Sequence, residues 1–196
     1  MKARHNPFAM DRSDALIEFE PSWCDSDWPN LMQRWRDLNH RAAIVGPHGS
    51  GKTTFLDTLT RQLQRRGDEV VRIFLNQEIR RLTARQWQRL EEVAAEATGP
   101  TTSILVDGAE QLGWSSWRRF HRLLRNNETR RALVTQHRPA RSRWPTLLTT
   151  NTSPDLLAQL IKQLSPRFHA SLSEAKIHEL YARHRGNVRE ALWQCY

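Results

Sequence analysis

The sequence predicts an α/β fold in which a parallel, three-layer sheet is followed by a small lid of helices. Five short β-rich segments lie between residues 41 and 151, and segments with helical periodicity separate most of them. After residue 151 the strand-like segments stop and only helical patterns follow. Alternating strands and helices favour parallel pairing, because each crossover helix returns the chain to the same end of the sheet.

The predicted strands are short apolar runs bounded by polar or turn residues. They run from Ala42 to Val45, Glu69 to Leu75, Ser103 to Val106, Ala132 to Thr135 and Thr146 to Thr149. Helices are expected between them from about Gly51 to Arg66, from Thr83 to Ala97 and from Ser115 to Arg125. Thr83 and Ser115 are of residue types that cap helix N-termini, and Gly99-Pro100 is expected to end the second helix.

The chain divides into three predicted parts. Residues 1–40 form a leader that packs on the core and contains a short helix near Asn30 to Asn39, residues 41–151 form the core, and residues 152–196 form the lid. Three lid helices are predicted, from Pro154 to Leu164, from Ser173 to His184 and from Val188 to Tyr196. The lid is expected to pack at the edge of the sheet, with a hinge near residues 151–154.

Composition excludes several classes of protein. No run approaches the roughly 18 apolar residues that a membrane span needs, and the charged first eleven residues carry no apolar secretory segment. Two cysteines form neither a disulfide framework nor a metal cluster, so we expect a cytoplasmic protein. The net charge of +9 permits contact with nucleic acid without requiring it, because 26 of the 30 basic residues are arginines and a GC-rich coding sequence produces the same excess.

A glycine-rich loop follows the first strand and carries the strongest functional signal. Residues 46–53 match the phosphate-loop pattern G-x-x-x-x-G-K-[ST], known as Walker A. Its backbone N–H groups and the following helix N-terminus suit phosphate, Lys52 suits the β- and γ-phosphates of ATP, and the Thr53 hydroxyl suits Mg²⁺. The predicted nucleotide-binding residues are Gly46, Pro47, His48, Gly49, Ser50, Gly51, Lys52, Thr53 and Thr54.

A second signal lies at the end of the third strand, in Ile104-Leu-Val-Asp107-Gly108-Ala-Glu110. A strand that ends in aspartate places a carboxylate at the edge of the sheet where ligands bind in open α/β folds. Asp107 is therefore the predicted Walker-B residue, which holds Mg²⁺ through water. Glu110 is a candidate for orienting the attacking water, and an exposed residue at a helix start is the alternative.

The order of phosphate loop, aspartate-ended strand, polar-ended strand and helical lid resembles the AAA+ ATPases and their STAND (NACHT-type) relatives. The resemblance covers roughly residues 41–196. Gly108 stands where most AAA+ proteins have glutamate, and the run from Asp107 to Leu112 is more similar to the Asp-Gly-x-Asp-Glu-Leu form of NACHT-type ATPases. This departure leaves ATP binding intact and places fast hydrolysis in question.

The resemblance also implies roles for residues outside the two Walker motifs. Thr135, Gln136 or His137 lies where those families sense the γ-phosphate, and Gly186-Asn-Val-Arg189 is similar to the sensor-2 signature, so Arg189 would reach the γ-phosphate from the lid. Arg138, Arg141 and Arg143 lie near the position of arginine fingers. The helix after Asp107 has an apolar face and an arginine-rich face, for which a solvated surface, a DNA-backbone contact and a protomer interface stay open.

The amino-acid sequence of the phosphate loop, Gly-Pro-His-Gly-Ser-Gly-Lys-Thr-Thr, also resembles that of transporter-type (ABC) ATPases. The chain contains no Leu-Ser-Gly-Gly-Gln signature and lacks their Gln-loop insertion, so we expect it to lie outside that family. The predicted function is an AAA+-type ATPase with Mg²⁺-dependent hydrolysis coupled to a partner, which is a protein, DNA or further copies of the chain. The alternatives are a STAND-type nucleotide-gated switch with slow hydrolysis and, less favoured, a small-molecule kinase.

Overall fold

The computed structural model describes residues 16–95, 101–125, 131–138 and 144–195. Five parallel strands form one sheet in the order β2-β3-β4-β1-β5. Their bounds are β1 Arg41–Val45, β2 Glu69–Phe74, β3 Thr102–Asp107, β4 Arg131–Gln136 and β5 Thr146–Thr149. The predicted α/β class and its parallel sheet are therefore confirmed.

Helices cover both faces of the sheet. Alternation along β1 sends Ala42 and Ile44 into one core and Ala43 and Val45 into the other. The first core packs against α1 (Trp28–Asp37) and α2 (Lys52–Arg65), and the second packs against α3 (Ala84–Ala95) and α4 (Trp114–Arg125). Burial on both faces explains why the central strands are almost continuously apolar.

Local capping chemistry accounts for the start of α3 but not for that of α4. Thr83 and Gln86 form a reciprocal capping box at the start of α3, as Thr83 was predicted to do. Helix α4 begins at Trp114, so Ser115 lies in its first turn and the prediction that Ser115 caps it is wrong. The predicted end of α3 at Ala97 and its stop at Gly99-Pro100 fall outside the described residues.

The lid has its own apolar core, which includes Ile17 of the leader. Four lid helices are described, α5 Pro154–Leu164, α6 Pro166–Ala170, α7 Glu174–Arg183 and α8 Val188–Gln194, where three were predicted. The extra helix α6 arises because Pro166 cannot continue α5 and instead occupies the first position of a new helix. Ser153, Ser173 and Asn187 cap α5, α7 and α8 through their side chains.

The described part of the leader packs on the core. Trp35 of α1 is fully buried, and the Phe19 amide donates to Thr58 Oγ1 at 3.0 Å. Helix α1 begins at Trp28, two residues before its predicted start, because Asp27 caps it and Pro29 lies in its first turn. No helix in the described residues is both long and apolar enough to cross a membrane.

Candidate functional site

A cleft of about 600 Å³ opens at the carboxyl edge of the sheet. The glycine-rich loop after β1, the ends of β2 and β3, the segment after β4 and helices α5 and α8 of the lid all contribute residues to it. Loops from several parallel strands converge there because all five strands point the same way. The fold therefore builds a cavity where the sequence places its ligand-binding motif.

The glycine-rich loop connects β1 to α2, which begins at Lys52. Gly49 has φ +71°, and a Cβ added to it would lie 2.0 Å from Asn187 Oδ1 of the lid. Glycine at this position therefore allows both the left-handed backbone and the close approach of the lid cap. His48 to Thr54 line the cleft, whereas Gly46 and Pro47 form the start of the loop.

The Lys52 side chain is buried against its own loop, with an exposed fraction of 8%. Its ammonium donates to Gly46 O at 2.7 Å and Pro47 O at 2.6 Å, and it lies 3.3 Å from His137 Nδ1. Burial lowers the pKa of Lys52 to about 8, against the opposing effect of the Glu110 and Asp107 carboxylates. The ammonium is therefore charged at pH 7 and titrates unusually close to neutrality.

Asp107 accepts hydrogen bonds from hydroxyls on two sides. Thr53 Oγ1 donates to Asp107 Oδ2 at 2.7 Å, and Thr135 Oγ1 donates to Asp107 Oδ1. Strand β4 lies between β1 and β3, which brings Thr135 beside the carboxylate. Three oxygen-bearing side chains from three chain segments thus meet at the floor of the cleft.

The backbone at Gly108 has no room for the glutamate side chain that most AAA+ proteins carry after the Walker-B aspartate. Its φ is +75°, and a Cβ built on it would lie 2.1 Å from the Leu75 carbonyl oxygen. The backbone after β3 therefore passes so close to the end of β2 that a side chain would displace it. The Gly108 amide donates to Thr135 Oγ1 at 2.9 Å and holds this tight turn in place.

Glu110 lies beneath the loop and contacts His137. Glu110 Oε1 lies 3.0 Å from His137 Nε2, and its side chain is 13% exposed. Burial favours a higher pKa for Glu110, but the hydrogen bond from His137 together with the charges of His137 and Lys52 holds that pKa below its usual range. Its other oxygen, Oε2, receives no hydrogen bond from a neighbouring residue in the described part of the chain.

His48 covers the His137 ring. Their ring centroids are 3.6 Å apart with an interplanar angle of 36°. Burial and the nearby His137 and Lys52 lower the pKa of His48, so its imidazole is neutral at pH 7. The stacked rings line the side of the cleft next to Lys52.

The lid reaches the cleft through α8. Arg189 lines the cleft, and its guanidinium lies 5.8 Å from the centre of the Trp193 ring. Val188 and Leu192 line the cleft from the same helix. The structure thus brings Arg189 into the same cavity as Lys52 and Asp107.

An apolar wall of the cleft was missed by sequence reasoning. Ile17 and Trp23 of the leader line it together with Leu156 and Leu160 of α5, and all four belong to one apolar cluster. Trp23 packs against both the sheet core and the lid core. Only the placement of leader and lid on the same side of the loop could reveal this wall, because its residues carry no motif.

The candidate arginine fingers are only partly described. Arg138 is exposed after β4, whereas Arg141 and Arg143 fall outside the described residues. The arginine-rich face of α4 is also exposed, and its apolar face packs Phe120 and Leu124 into the core. The apolar and basic faces of α4 therefore lie as predicted.

Comparison with solved structures supports the fold. A variant of RuvB from Thermotoga maritima superposes with a TM-score of 0.56 and 15% identity over 85% of this chain and 58% of that chain. PCH-2 from C. elegans superposes with a TM-score of 0.51 and 12% identity over 98% of this chain and 71% of that chain. This chain spans less than two thirds of the RuvB chain, and at these identities the likeness establishes the α/β P-loop NTPase-like fold alone.

Comparison by sequence corrects one expectation. No curated protein matches the chain. The profile of the family described as ABC transporter matches residues 37–166, about two thirds of the chain. Our expectation that the chain lies outside this family, drawn from the missing Leu-Ser-Gly-Gly-Gln run, was therefore wrong. The match covers the phosphate loop and all five strands, and with the geometry of the cleft it shows that the chain is a P-loop ATPase domain that belongs to the ABC transporter family.

Proposed function

We propose that the chain binds ATP with Mg²⁺ in the cleft, hydrolyses it, and uses the resulting change in the lid to drive or license a partner. The observation that carries the proposal is the convergence of Lys52, Thr53 and Asp107, with Thr53 Oγ1 only 2.7 Å from Asp107 Oδ2 at the N-terminus of α2. A helix N-terminus, an ammonium and a hydroxyl–carboxylate pair suit a magnesium-bound polyphosphate.

The loop and Lys52 would bind the phosphates. The ammonium of Lys52 now donates to Gly46 O and Pro47 O, so phosphate oxygens would replace carbonyl oxygens of its own loop as acceptors. Loop N–H groups and the positive end of the α2 dipole would add further attraction. Because phosphate oxygens would replace these two carbonyl oxygens, the affinity for phosphate would depend on whether the Lys52 amine is charged.

The residues present fit Mg²⁺. Thr53 and Asp107 offer a hydroxyl and a carboxylate oxygen, the hard ligands this cation prefers. When bound, Mg²⁺ would neutralise charge on the β- and γ-phosphates. Thr135 donates to the other oxygen of Asp107 and thereby orients the carboxylate toward Thr53.

Glu110 would orient the attacking water. Its lowered pKa keeps the carboxylate ionised at neutral pH, and Oε2, which is buried and has no hydrogen-bond partner among the described residues, would accept a hydrogen bond from that water. His137 holds the other oxygen and also lies beside Lys52, so it would link the water-positioning residue to the phosphate-binding residue.

The leader and the lid would hold the rest of the nucleotide. We assign residues 1–40 to the leader, 41–151 to the ATPase core and 152–196 to the lid. The apolar wall of Ile17, Trp23 and Leu160 suits the faces of an adenine base, and Arg189 would contact the γ-phosphate from α8. A lid that contacts the third phosphate distinguishes ATP from ADP, which is what coupling to a partner requires.

A nucleotide-gated switch with slow hydrolysis is the second candidate. It is favoured by the engagement of Glu110 with His137 and by the turn at Gly108, which excludes the glutamate that usually follows the Walker-B aspartate. Both candidates bind ATP in the same cleft. They differ in whether Glu110 supports steady turnover.

The test is Glu110→Gln, which keeps the size of the side chain and removes its charge. We expect ATP binding measured by calorimetry to persist and steady-state turnover to fall by roughly 100-fold or more. Glu174→Gln, an exposed residue at the start of α7, is the matched control and should leave turnover unchanged. Equal turnover in Glu110→Gln and the parent would contradict the assignment, whereas a parent that binds ATP without turnover would establish the switch.

A further inference from the structure

An exposed surface beside the nucleotide cleft combines aromatic, aliphatic and arginine side chains. We call it the aromatic–arginine surface and define it by Phe74, Ile79, Arg81, Trp114, Arg118 and Arg122. Trp114 is 70% exposed, Phe74 53% and Ile79 45%, which makes them three of the most exposed large apolar side chains in the described ranges. Exposed apolar side chains that are grouped together mark interaction sites on soluble proteins.

The sheet topology brings these residues to one edge. Phe74, the last residue of β2, pairs in register with Asp107, the last residue of β3. Ile79 and Arg81 follow in the connection from β2 to α3, and Trp114 begins α4 shortly after β3. Neighbouring strands lie only about 4.8 Å apart, so the two connections leave the sheet side by side.

The arginines of this surface have no acidic partners in the described chain. Among residues 16–95, 101–125, 131–138 and 144–195, no carboxylate lies within ion-pair distance of Arg81, Arg118 or Arg122, and α4 contains no aspartate or glutamate. The acidic residues of α3 are occupied elsewhere, since Glu91 pairs with Arg119 and Glu92 with Arg89. One acidic residue, Glu78, lies in the adjoining connection, so the local balance is positive.

Trp114 and Arg118 form a recognisable pair. The Arg118 guanidinium lies 4.7 Å from the centre of the Trp114 ring, one helical turn away. One face of the indole is thus covered by a cation, while most of the side chain stays in solvent. Arg122 follows a further turn along the same side of α4.

We propose that the aromatic–arginine surface binds single-stranded nucleic acid. Arginines neutralise phosphates, and exposed aromatic rings stack on bases that are free of a complementary strand. A duplex would use the arginines but leave Trp114 and Phe74 without a function, because its bases already stack on one another. An acidic protein partner would pair with the arginines but would have no use for the Trp114 ring, one face of which is covered by Arg118.

The surface is continuous with the nucleotide cleft. Phe74 and the connection that follows it, together with Gly108 and Gln111 before α4, line the cleft on their inner side. Nucleic acid on this surface would therefore contact the segments that surround the γ-phosphate. This coupling rests on the proposed ATPase function, whereas the binding of nucleic acid does not.

The experiment measures fluorescence anisotropy of labelled oligo(dT), oligo(rU) and a matched duplex, each about 20 nucleotides long, with the full chain at several salt concentrations. Trp114→Ala should weaken single-strand binding by about fivefold or more, and Trp114→Phe should retain it because a ring is kept. The double variant Arg118→Gln, Arg122→Gln should lower the salt slope of log K by about 1.4, for two phosphate contacts. The two single strands show whether the 2′-hydroxyl matters.

The matched control variant changes two arginines at the opposite edge of the sheet. Arg65 and Arg66 are exposed at the far end of α2, so the double variant Arg65→Gln, Arg66→Gln makes the same charge change away from the surface. It should leave both affinity and salt slope as in the parent. Thermal unfolding checks that each variant is folded.

Several outcomes would overturn the proposal. These are no binding of either single strand at low salt, tighter binding of the duplex, unchanged affinity in Trp114→Ala, or an equal loss in the Arg65, Arg66 control. Sedimentation that shows an oligomer dissociated by Trp114→Ala, with nucleic-acid binding unaffected, would assign the surface to self-assembly instead. Calorimetric ATP binding is measured in parallel, so a failed nucleic-acid site is distinguished from a failed nucleotide site.

Discussion

The charge of Lys52 should set the pH dependence of ATP binding. Burial lowers the pKa of this lysine to about 8 from its ordinary value of 10.5, so the amine titrates within an accessible pH range. A lysine with a lowered pKa is charged below that pKa and neutral above it. Since only the ammonium pairs with phosphate, we expect affinity to fall as the pH rises through 8.

The size of the effect follows from the charged fraction. With a pKa of about 8, roughly nine tenths of the chains carry the ammonium at pH 7 and roughly one tenth at pH 9. The apparent affinity for ATP should therefore fall about tenfold between these values, equivalent to about 1.4 kcal/mol. At pH 9, ATP binding should be accompanied by the uptake of a proton, because the bound phosphates favour the charged form of Lys52.

Calorimetry at pH 7 and pH 9, in buffers of different ionisation enthalpy, measures both quantities. Lys52→Arg is the matched control, because guanidinium stays charged throughout and should give a flat profile. Lys52→Ala should lose a few kcal/mol of affinity at pH 7, as expected for the loss of a charge-assisted contact at the phosphates. An affinity of the parent that is the same at both pH values, without proton uptake, would refute the reasoning.

Two further predictions concern the lid and the turn after β3. Arg189→Ala should weaken ATP binding by about 1.5–3 kcal/mol and leave ADP binding nearly intact, as measured by calorimetry; equal losses for both nucleotides would mean that Arg189 only shapes the lid. Gly108→Ala should lower the free energy of unfolding by about 2 kcal/mol or more in urea titration, because its Cβ would lie 2.1 Å from the Leu75 carbonyl oxygen. Gly67 has a similar φ of +84°, but a Cβ added to it would have nothing within 4 Å, so Gly67→Ala should lower the free energy of unfolding by less. Equal decreases in the two variants would show that the contact with Leu75 is unimportant.

Local patterns were sufficient for much of the fold. The phosphate loop was predicted because its glycines, lysine and threonine occur within eight residues between an apolar strand and an amphipathic helix. The cap Thr83 lies where its residue type predicts, since capping depends on a few neighbouring residues. The additional helix α6 was not predicted because Pro166 ends α5 and begins a new helix, and α4 begins at Trp114, one residue before the predicted cap.

The sequence by itself determined that Lys52, Asp107 and Arg189 are candidates for one site, because each belongs to a short motif with a defined strand or helix context. Only the tertiary structure decided how the candidates meet. Strand β4 lies between β1 and β3, which brings Thr135 onto Asp107 and His137 between Lys52 and Glu110. The leader and lid approach from the same side, which builds the apolar wall around Trp23 and seats Asn187 against Gly49. Strand order depends on which faces the crossover helices bury, a property of the whole chain, and periodicity within one segment carries no information about it.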